Sequence, residues 1–291
     1  MKTIQLGYPI TDALKNKSEP CVMALGFFDG VHLGHQQIIK TAKTIAAEKN
    51  LKLAVMTFFP HPSAVIKKGN QVTKYITPLS VKKEIFEKMG VDLLYVVDFN
   101  MDVAKIPHDQ FVNEYLDGLQ CKHAVGGFDY TYGFKGKGNM AQLNIDANGR
   151  FGVTTVEKLE KKHHKVSSTL LRELISSGRV EDIPTYLGSR YALQGILQRR
   201  ANNYILYIDS DYFLPCPGSY EVTLKNGVLV TKGLCEIKSS DQPGELHIRM
   251  FYGQPFENTL PVQLQWENFI ADYEMDAFHA QARFDEMEVS M

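Results

Sequence analysis

The stretch Leu25-Gly26-Phe27-Phe28-Asp29-Gly30-Val31-His32-Leu33-Gly34-His35 does most to limit what this chain can fold into. A short apolar run, Cys21 to Leu25, precedes it and reads as a buried strand; Ile38, Ile39, Ala42, Ile45 and Ala46 follow at helical spacing. The stretch therefore lies on a strand-to-helix turn. Its glycines, Gly26, Gly30 and Gly34, let the backbone come close to a ligand, and a helix starting there directs unpaired N–H groups and partial positive charge toward it. The simplest such ligand is a phosphate. His32 and His35 stand three residues apart at the helix entrance, where both rings can face one phosphate, donating hydrogen bonds or, when protonated, positive charge. A glycine-rich turn with two surface histidines is the plainer alternative.

The same alternation continues downstream. Leu51 to Phe59 is a second β-rich run closed by Pro60-His61-Pro62, whose prolines stop the strand and leave His61 at its C-terminal end, where open α/β sheets place ligands. Thr77-Pro78-Leu79 opens a helix with Val81, Ile85, Phe86 and Met89 on one face and Gly90 as its C-cap. Val91 to Phe99 reads as a third strand, Phe111 to Leu119 as an amphipathic segment, and Ala124-Val125-Gly126 as the start of a fourth strand. This order predicts a parallel sheet with helices on both faces. The span Val125 to Gly138 then carries five glycines among aromatics, which excludes a regular element and predicts a loop at a strand end. Asp129 could accept a hydrogen bond from a ribose, a ribityl chain or a ring N–H, and Phe128, Tyr130, Tyr132 and Phe134 could stack on an aromatic ligand or pack into the core. Glu157 to Lys165 is a charged run expected as a solvated loop or helix end. Val166-Ser167-Ser168-Thr169-Leu170-Leu171-Arg172 opens a helix ending near Gly178; its Ser and Thr residues cap the helix and its N–H groups suit a phosphate, with the Arg172 fork one turn in.

These motifs resemble one family. Gly-x-Phe-Asp-Gly-x-His-x-Gly-His over residues 26–35 is similar to the nucleotide-binding signature of the adenylyltransferase half of bacterial FAD synthetases, the bifunctional riboflavin kinase/FMN adenylyltransferases. Thr57-Phe58-Phe59-Pro60-His61-Pro62 resembles the family's second motif, and Gly127-Phe128-Asp129-Tyr130-Thr131-Tyr132-Gly133 its Gly-x-Asp-Phe-x-Phe-Gly loop, with tyrosine at both aromatic positions. Ser167-Ser168-Thr169-Leu170-Leu171-Arg172 resembles the partner signature of His-x-Gly-His in the wider nucleotidylyltransferase superfamily. The resemblance implies a Rossmann-like nucleotidylyltransferase domain over 1–186 that makes FAD from FMN and ATP. It implies catalytic roles for His32, His35 and Arg172, ATP contacts for Gly26, Phe27, Phe28, Gly34, Ser168 and Thr169, and flavin contacts for Pro60, His61, Pro62, Asp129 and Tyr130. Mg²⁺ is expected to arrive with ATP, and the sequence offers no metal-ligand cluster of its own.

From Leu187-Gly188-Ser189-Arg190-Tyr191 onward the chain resembles the family's riboflavin kinase module. Short alternating runs at Ile196-Leu197, Tyr204 to Ile208, Gly218 to Leu224, Gly227 to Val230, Glu245 to Phe251 and Val262 to Trp266 predict a small antiparallel barrel over 187–291, with a helix from Phe269 to Phe284. The kinase's Gly-x-Pro-Thr-Ala-Asn motif is missing: Gln198 to Tyr207 stands in its place, while Glu245, in Gly244-Glu245-Leu246-His247-Ile248, resembles the kinase's general-base glutamate, a solvent-facing strand residue being the plainer alternative. The module is therefore expected to be degenerate. A bifunctional enzyme with a divergent kinase site, a nucleotidylyltransferase for another phosphate or amine acceptor, and a non-catalytic flavin or nucleotide sensor are the alternatives.

Length and charge agree with this reading. The chain has 291 residues, enough for about two domains, and a formal net charge of −1 offers no chain-wide attraction to nucleic acid or an anionic membrane. Met1 to Gly7 lacks a secretory apolar core and no run reaches a membrane span, so the chain is expected in the cytoplasm with neither nucleic acid nor membrane as partner; the resemblance implies the small molecules FMN and ATP as its partners. A homo-oligomer is left open. Cys21, Cys121, Cys216 and Cys235 lie far apart, with no Cys-x-x-Cys pair, and read as reduced structural residues.

Overall fold

Parallel pairing sets the first half of the molecule. In the computed structural model, which describes residues 1–66, 71–201, 203–227, 229–238, 242–251, 256 and 259–271, six strands form one sheet: β1 (Lys2–Leu6), β2 (Cys21–Leu25), β3 (Lys52–Phe59), β4 (Leu93–Asp98), β5 (Cys121–Gly127) and β6 (Gly152–Val156). Their order across the sheet is β1-β4-β3-β2-β5-β6, and every pairing is parallel. The outer strands β1 and β6, which the sequence pattern did not single out, are short and only partly buried; edge position removes the continuous apolar run that marks a central strand.

Strand β2 is buried at all five positions because both its faces are covered. On one face, Val22 and Ala24 pack with Leu53, Val55, Leu94 and Val96 under helices α1 (Leu33–Glu48) and α2 (Leu79–Lys88), through Ile39, Ala42 and Phe86. On the other, Met23 and Leu25 pack with Met56, Tyr95 and Val97 against Phe111, Tyr115 and Leu116, and against Leu143 of α3 (Met140–Ala147). Each fully buried side chain of this kind contributes about 1.5–3 kcal/mol, so the period-two alternation fixes register on both faces. The amphipathic segment expected at 111–119 is a helix, His108–Phe111, that continues as a wider π-type turn, Val112–Asp117, in which Gly118 N–H donates to the Asn113 carbonyl. Cys21 and Cys121 stand in register on β2 and β5, and burial pushes the Cys21 thiol up to about 12, which leaves it unreactive.

The chain divides into two compact units, Met1–Thr73 with Leu79–Val166, and Lys74–Pro78 with Ser167–Met291. The second is built on a closed barrel of β7 (Ala192–Arg200), β8 (Asn203–Ile208), β9 (Gly218–Asn226), β10 (Leu229–Ile237), β11 (Glu245–Met250) and β12 (Leu260–Ala271), in the order β7-β8-β11-β10-β9-β12. All its pairings are antiparallel. Leu197, Leu206, Tyr220, Val222, Leu264 and Trp266 fill the interior. Helix α4 (Ser168–Ser176) belongs to this unit, which thus begins ahead of the 186/187 boundary expected between functional modules. The reason is packing: Gly178, just after α4, sits against Cys216, Tyr220 and Phe269 so closely that a Cβ would come within 3.1 Å of the Cys216 sulfur.

Two expectations change. The charged run 157–165 is a small hairpin, Glu160–Lys161 paired with His164–Lys165, turned by Lys162 and His163 at φ +47° and +63°. The helix expected from Phe269 is, up to Ala271, the end of β12, since Phe269 pairs with Tyr220 and packs on its ring; residues 272–284 of that expectation lie outside the described residues.

Candidate active site

The sheet order places a topological switch point between β2 and β5: the chain proceeds from β2 to β3 on one side and reaches β5 on the other. Leu25 pairs with Gly126 there, so the turns leaving β2 and β5 start side by side at the carboxyl ends of the strands. Crevices of this kind are where open α/β sheets bind ligands.

The turn after β2 is irregular in a defined way. Phe28 is left-handed at φ +58°, followed by Gly30 at +81° and Val31 at +43°, so the backbone reverses hand repeatedly as in anion-binding nests. Phe28 itself is fully buried, its ring edge-on to Phe86, and packing of that ring holds an otherwise unfavourable backbone. Gly26 leaves room for the ring, since a Cβ there would meet it at 2.9 Å. His32 then caps α1: its Nδ1 accepts the His35 N–H at 3.2 Å.

That cap fixes the chemistry of His32. With Nδ1 as acceptor, the neutral ring carries its proton on Nε2 and can donate from there. Burial pushes the His32 pKa down to about 4, with the Asp129 carboxylate pulling the other way. His35 lies parallel to it, ring centroids 3.6 Å apart, and is held well below the usual histidine range by burial first, then by the charges of His32 and Lys82. Its Nδ1 is buried with no hydrogen-bond partner among the described residues. Burial thus disfavours the charged form of both rings in this structure.

Two side chains that sequence reasoning passed over hold the same turn. Thr57 of β3 and Lys82 of α2 both donate to the Phe27 carbonyl, at 2.8 and 3.0 Å. Lys82 is 1% exposed, and burial lowers its ammonium to about 8, with Asp29 opposing. The signal was present: Lys82 falls between Leu79 and Phe86 on the apolar stripe of α2, where a solvated lysine does not belong.

Around this centre the other expected residues divide. After β3, the His61 ring stands edge-on to Phe27 at 4.4 Å, flanked by the half-buried Pro60 and Pro62; its Nδ1 bonds Ser63. After β5, Asp129 is exposed and paired with Lys165 at 2.6 Å, and Lys165 also covers the Phe128 ring. The four loop aromatics part company. Phe128 and Phe134 are exposed, whereas Tyr132 is buried, its hydroxyl donating to Asp146 at 2.7 Å. Tyr130 stacks on Tyr132 with its hydroxyl buried, so core packing claims Tyr132 outright. Asp146 also takes bonds from His108 and Gln142, both at 2.7 Å.

Ser168, Thr169 and Arg172 belong to the second unit. Ser167 is the cap of α4, its hydroxyl accepting the Leu170 N–H. Ser168 is half-buried and Thr169 exposed in the first turn. Arg172 donates to the Lys74 carbonyl at 2.7 Å and lies over the Phe213 ring.

A parallel sheet with a glycine-rich, histidine-bearing turn at its switch point defines a protein of the nucleotidylyltransferase class. Residues 14–170 match the family described as FAD synthetase, and the chain belongs to that family. A protein named bifunctional riboflavin kinase/FMN adenylyltransferase from Bacillus subtilis is 42% identical over 81% of this chain and 77% of its own length. One named FAD synthetase from Listeria monocytogenes is 30% identical over 82% of this chain and 96% of its own. A crystal structure described as a macrolide-efflux protein from Streptococcus pneumoniae superposes with a TM-score of 0.85 over 99% of this chain and 97% of its own, at 22% identity; that likeness is one of fold. Among the described residues no helix is long and apolar enough to cross a membrane.

Proposed function

We propose that this chain is an FMN adenylyltransferase that transfers AMP from ATP to FMN and lacks riboflavin kinase activity. An oxygen of the FMN phosphate attacks the α-phosphorus of ATP, a new P–O bond forms, the bond to the β-phosphate bridge breaks, and pyrophosphate leaves. No protein nucleophile is needed. Catalysis is positioning and charge stabilisation, and the observation that carries the reading is the neutral, capped His32–His35 pair on the signature turn at the switch point.

In this reading the turn 26–28, Gly34 and the first N–H groups of α1 receive the ATP phosphates, and His32 donates from Nε2 to charge developing on the transferred phosphate. His35, stacked behind it, does the same or holds the ring in place. Ser168, Thr169 and Arg172 contribute further phosphate contacts through the helix start and the guanidinium fork. Pro60, His61, Pro62, Asp129 and Tyr130 line the flavin. A Mg²⁺ ion arriving with the nucleotide would supply charge neutralisation at the phosphates. The motifs assign catalysis to residues 1–186, and the cytoplasm, where ATP and FMN are found, is its place of work.

Loss of the kinase is supported by the strands β7 and β8. Among the described residues Gln198, Arg199 and Arg200 pair with Ile205, Tyr204 and Asn203, so this stretch is paired strand where the resemblance places the kinase's phosphate-binding segment. Glu245, which resembles the kinase's general-base glutamate, opens β11 opposite Tyr207. The name of the 30% identical Listeria relative carries no kinase; that of the 42% identical Bacillus relative does, and a bifunctional enzyme is the second reading. Purified protein with ATP and Mg²⁺ is given riboflavin in one tube and FMN in another. FAD from FMN alone is expected. Phosphorylation of riboflavin restores the bifunctional reading, and no reaction in either tube favours a flavin or nucleotide sensor.

A further inference from the structure

Lys82 makes an arrangement that its place on a helix does not require. A lysine is almost never fully buried unless it is paired. The charge of the buried Asp29 favours the Lys82 ammonium, while its hydrogen bond and its ring contact are both to Phe27: Nζ donates to the carbonyl at 3.0 Å and stands 4.1 Å from the ring centroid. Thr57, itself fully buried on β3, donates to the same carbonyl at 2.8 Å. One backbone oxygen of the signature turn thus takes two side-chain hydrogen bonds from two different elements. The Phe27–Phe28 peptide is trans, so its N–H points opposite to that oxygen. The Phe28 N–H has no acceptor among the described residues.

We propose that Lys82 is a positioning residue for adenylyl transfer: with Thr57 it pins the Phe27 carbonyl and so holds the backbone of the 26–28 turn in the shape that receives an anionic phosphate. This rests on the adenylyltransferase reading. The ammonium acts through the peptide plane and touches no reacting atom. Freed from the clamp, the Phe27–Phe28 peptide can rotate, and the turn loses the shape that positions the phosphate.

Burial of a cation in this position works against folding, as its lowered pKa of about 8 records, and an apolar side chain of similar length removes that penalty. Stability and rate should therefore separate, which a merely structural lysine would not allow. The test uses the full chain as Lys82→Met, Thr57→Val and the double variant, with FAD formation from FMN and ATP and thermal midpoints measured on the same preparations. Lys82→Met is expected to lower kcat by about tenfold or more while its midpoint stays or rises, and Thr57→Val to lower kcat in the same direction. Because both act on one carbonyl, the double variant should lose less than the product of the two. A folded Lys82→Met with kcat and ATP KM within about twofold of wild type overturns the proposal. If that variant does not fold, Thr57→Val decides by the same criterion. Wild-type protein that makes no FAD overturns the adenylyltransferase reading instead, so the two failures are distinguishable.

Discussion

The imidazole rings of His32 and His35 stack with centroids 3.6 Å apart and planes 16° from parallel, while the backbone N–H of His35 donates to Nδ1 of His32. Two imidazolium ions at that separation would repel strongly in a buried site. The pair is thus built to be neutral and to donate hydrogen bonds.

Acid should loosen this half of the protein. The folded His32 ring takes up a proton only near pH 4, whereas in the unfolded chain it does so near 6.5. Between those values the unfolded state binds more protons, so stability falls as pH is lowered from about 6.5 to about 4, by about 3 kcal/mol for this group, and levels below. His35, lowered in the same direction, adds to the loss. Urea midpoints at pH 7 and pH 4.5 should differ more for wild type than for His32→Asn.

Replacing His35 with alanine should lower FAD formation by about 10²–10³ if its loss is like that of one preorganised donor. Circular dichroism should be unchanged, because α1 keeps its cap on His32. An undiminished rate would remove His35 from the reaction.

Gly34→Ala separates fold from site. An added Cβ would stand 3.2 Å from Cε1 and 3.3 Å from Nδ1 of His32, so the ring must give by a few tenths of an ångström. Alanine is about 1 kcal/mol better than glycine within a helix, and the thermal midpoint should hold. The turnover number should fall by about tenfold or more from the misplaced ring.

Asp146 tests the support under the aromatic loop. Burial opposes its ionisation, but hydrogen bonds from Gln142, Tyr132 and His108 hold its carboxyl below the usual range. Asp146→Ala leaves the buried Tyr132 hydroxyl and the other two donors unpaired, at a cost of about 2–4 kcal/mol. Chemical denaturation should show it, with Tyr132→Phe costing less.

Much of this molecule was legible in order. The strand before Gly26, the helix after Gly34, the proline-closed strand ending at Phe59 and the barrel beyond Tyr191 follow from periodicity and turn residues, since those signals are local. The motifs at 26–35 and 167–172 carried the family in the same way. The partnerships of the site were not legible. That Leu25 stands beside Gly126, that Lys82 and Thr57 share one carbonyl, and that Tyr132 turns into the core while Phe128 stays out all depend on strands paired in an order different from their order in the chain. Local sequence determined which residues could bind a phosphate. Tertiary structure decided their burial and their neighbours, because these, unlike helix or strand period, depend on residues far apart in sequence.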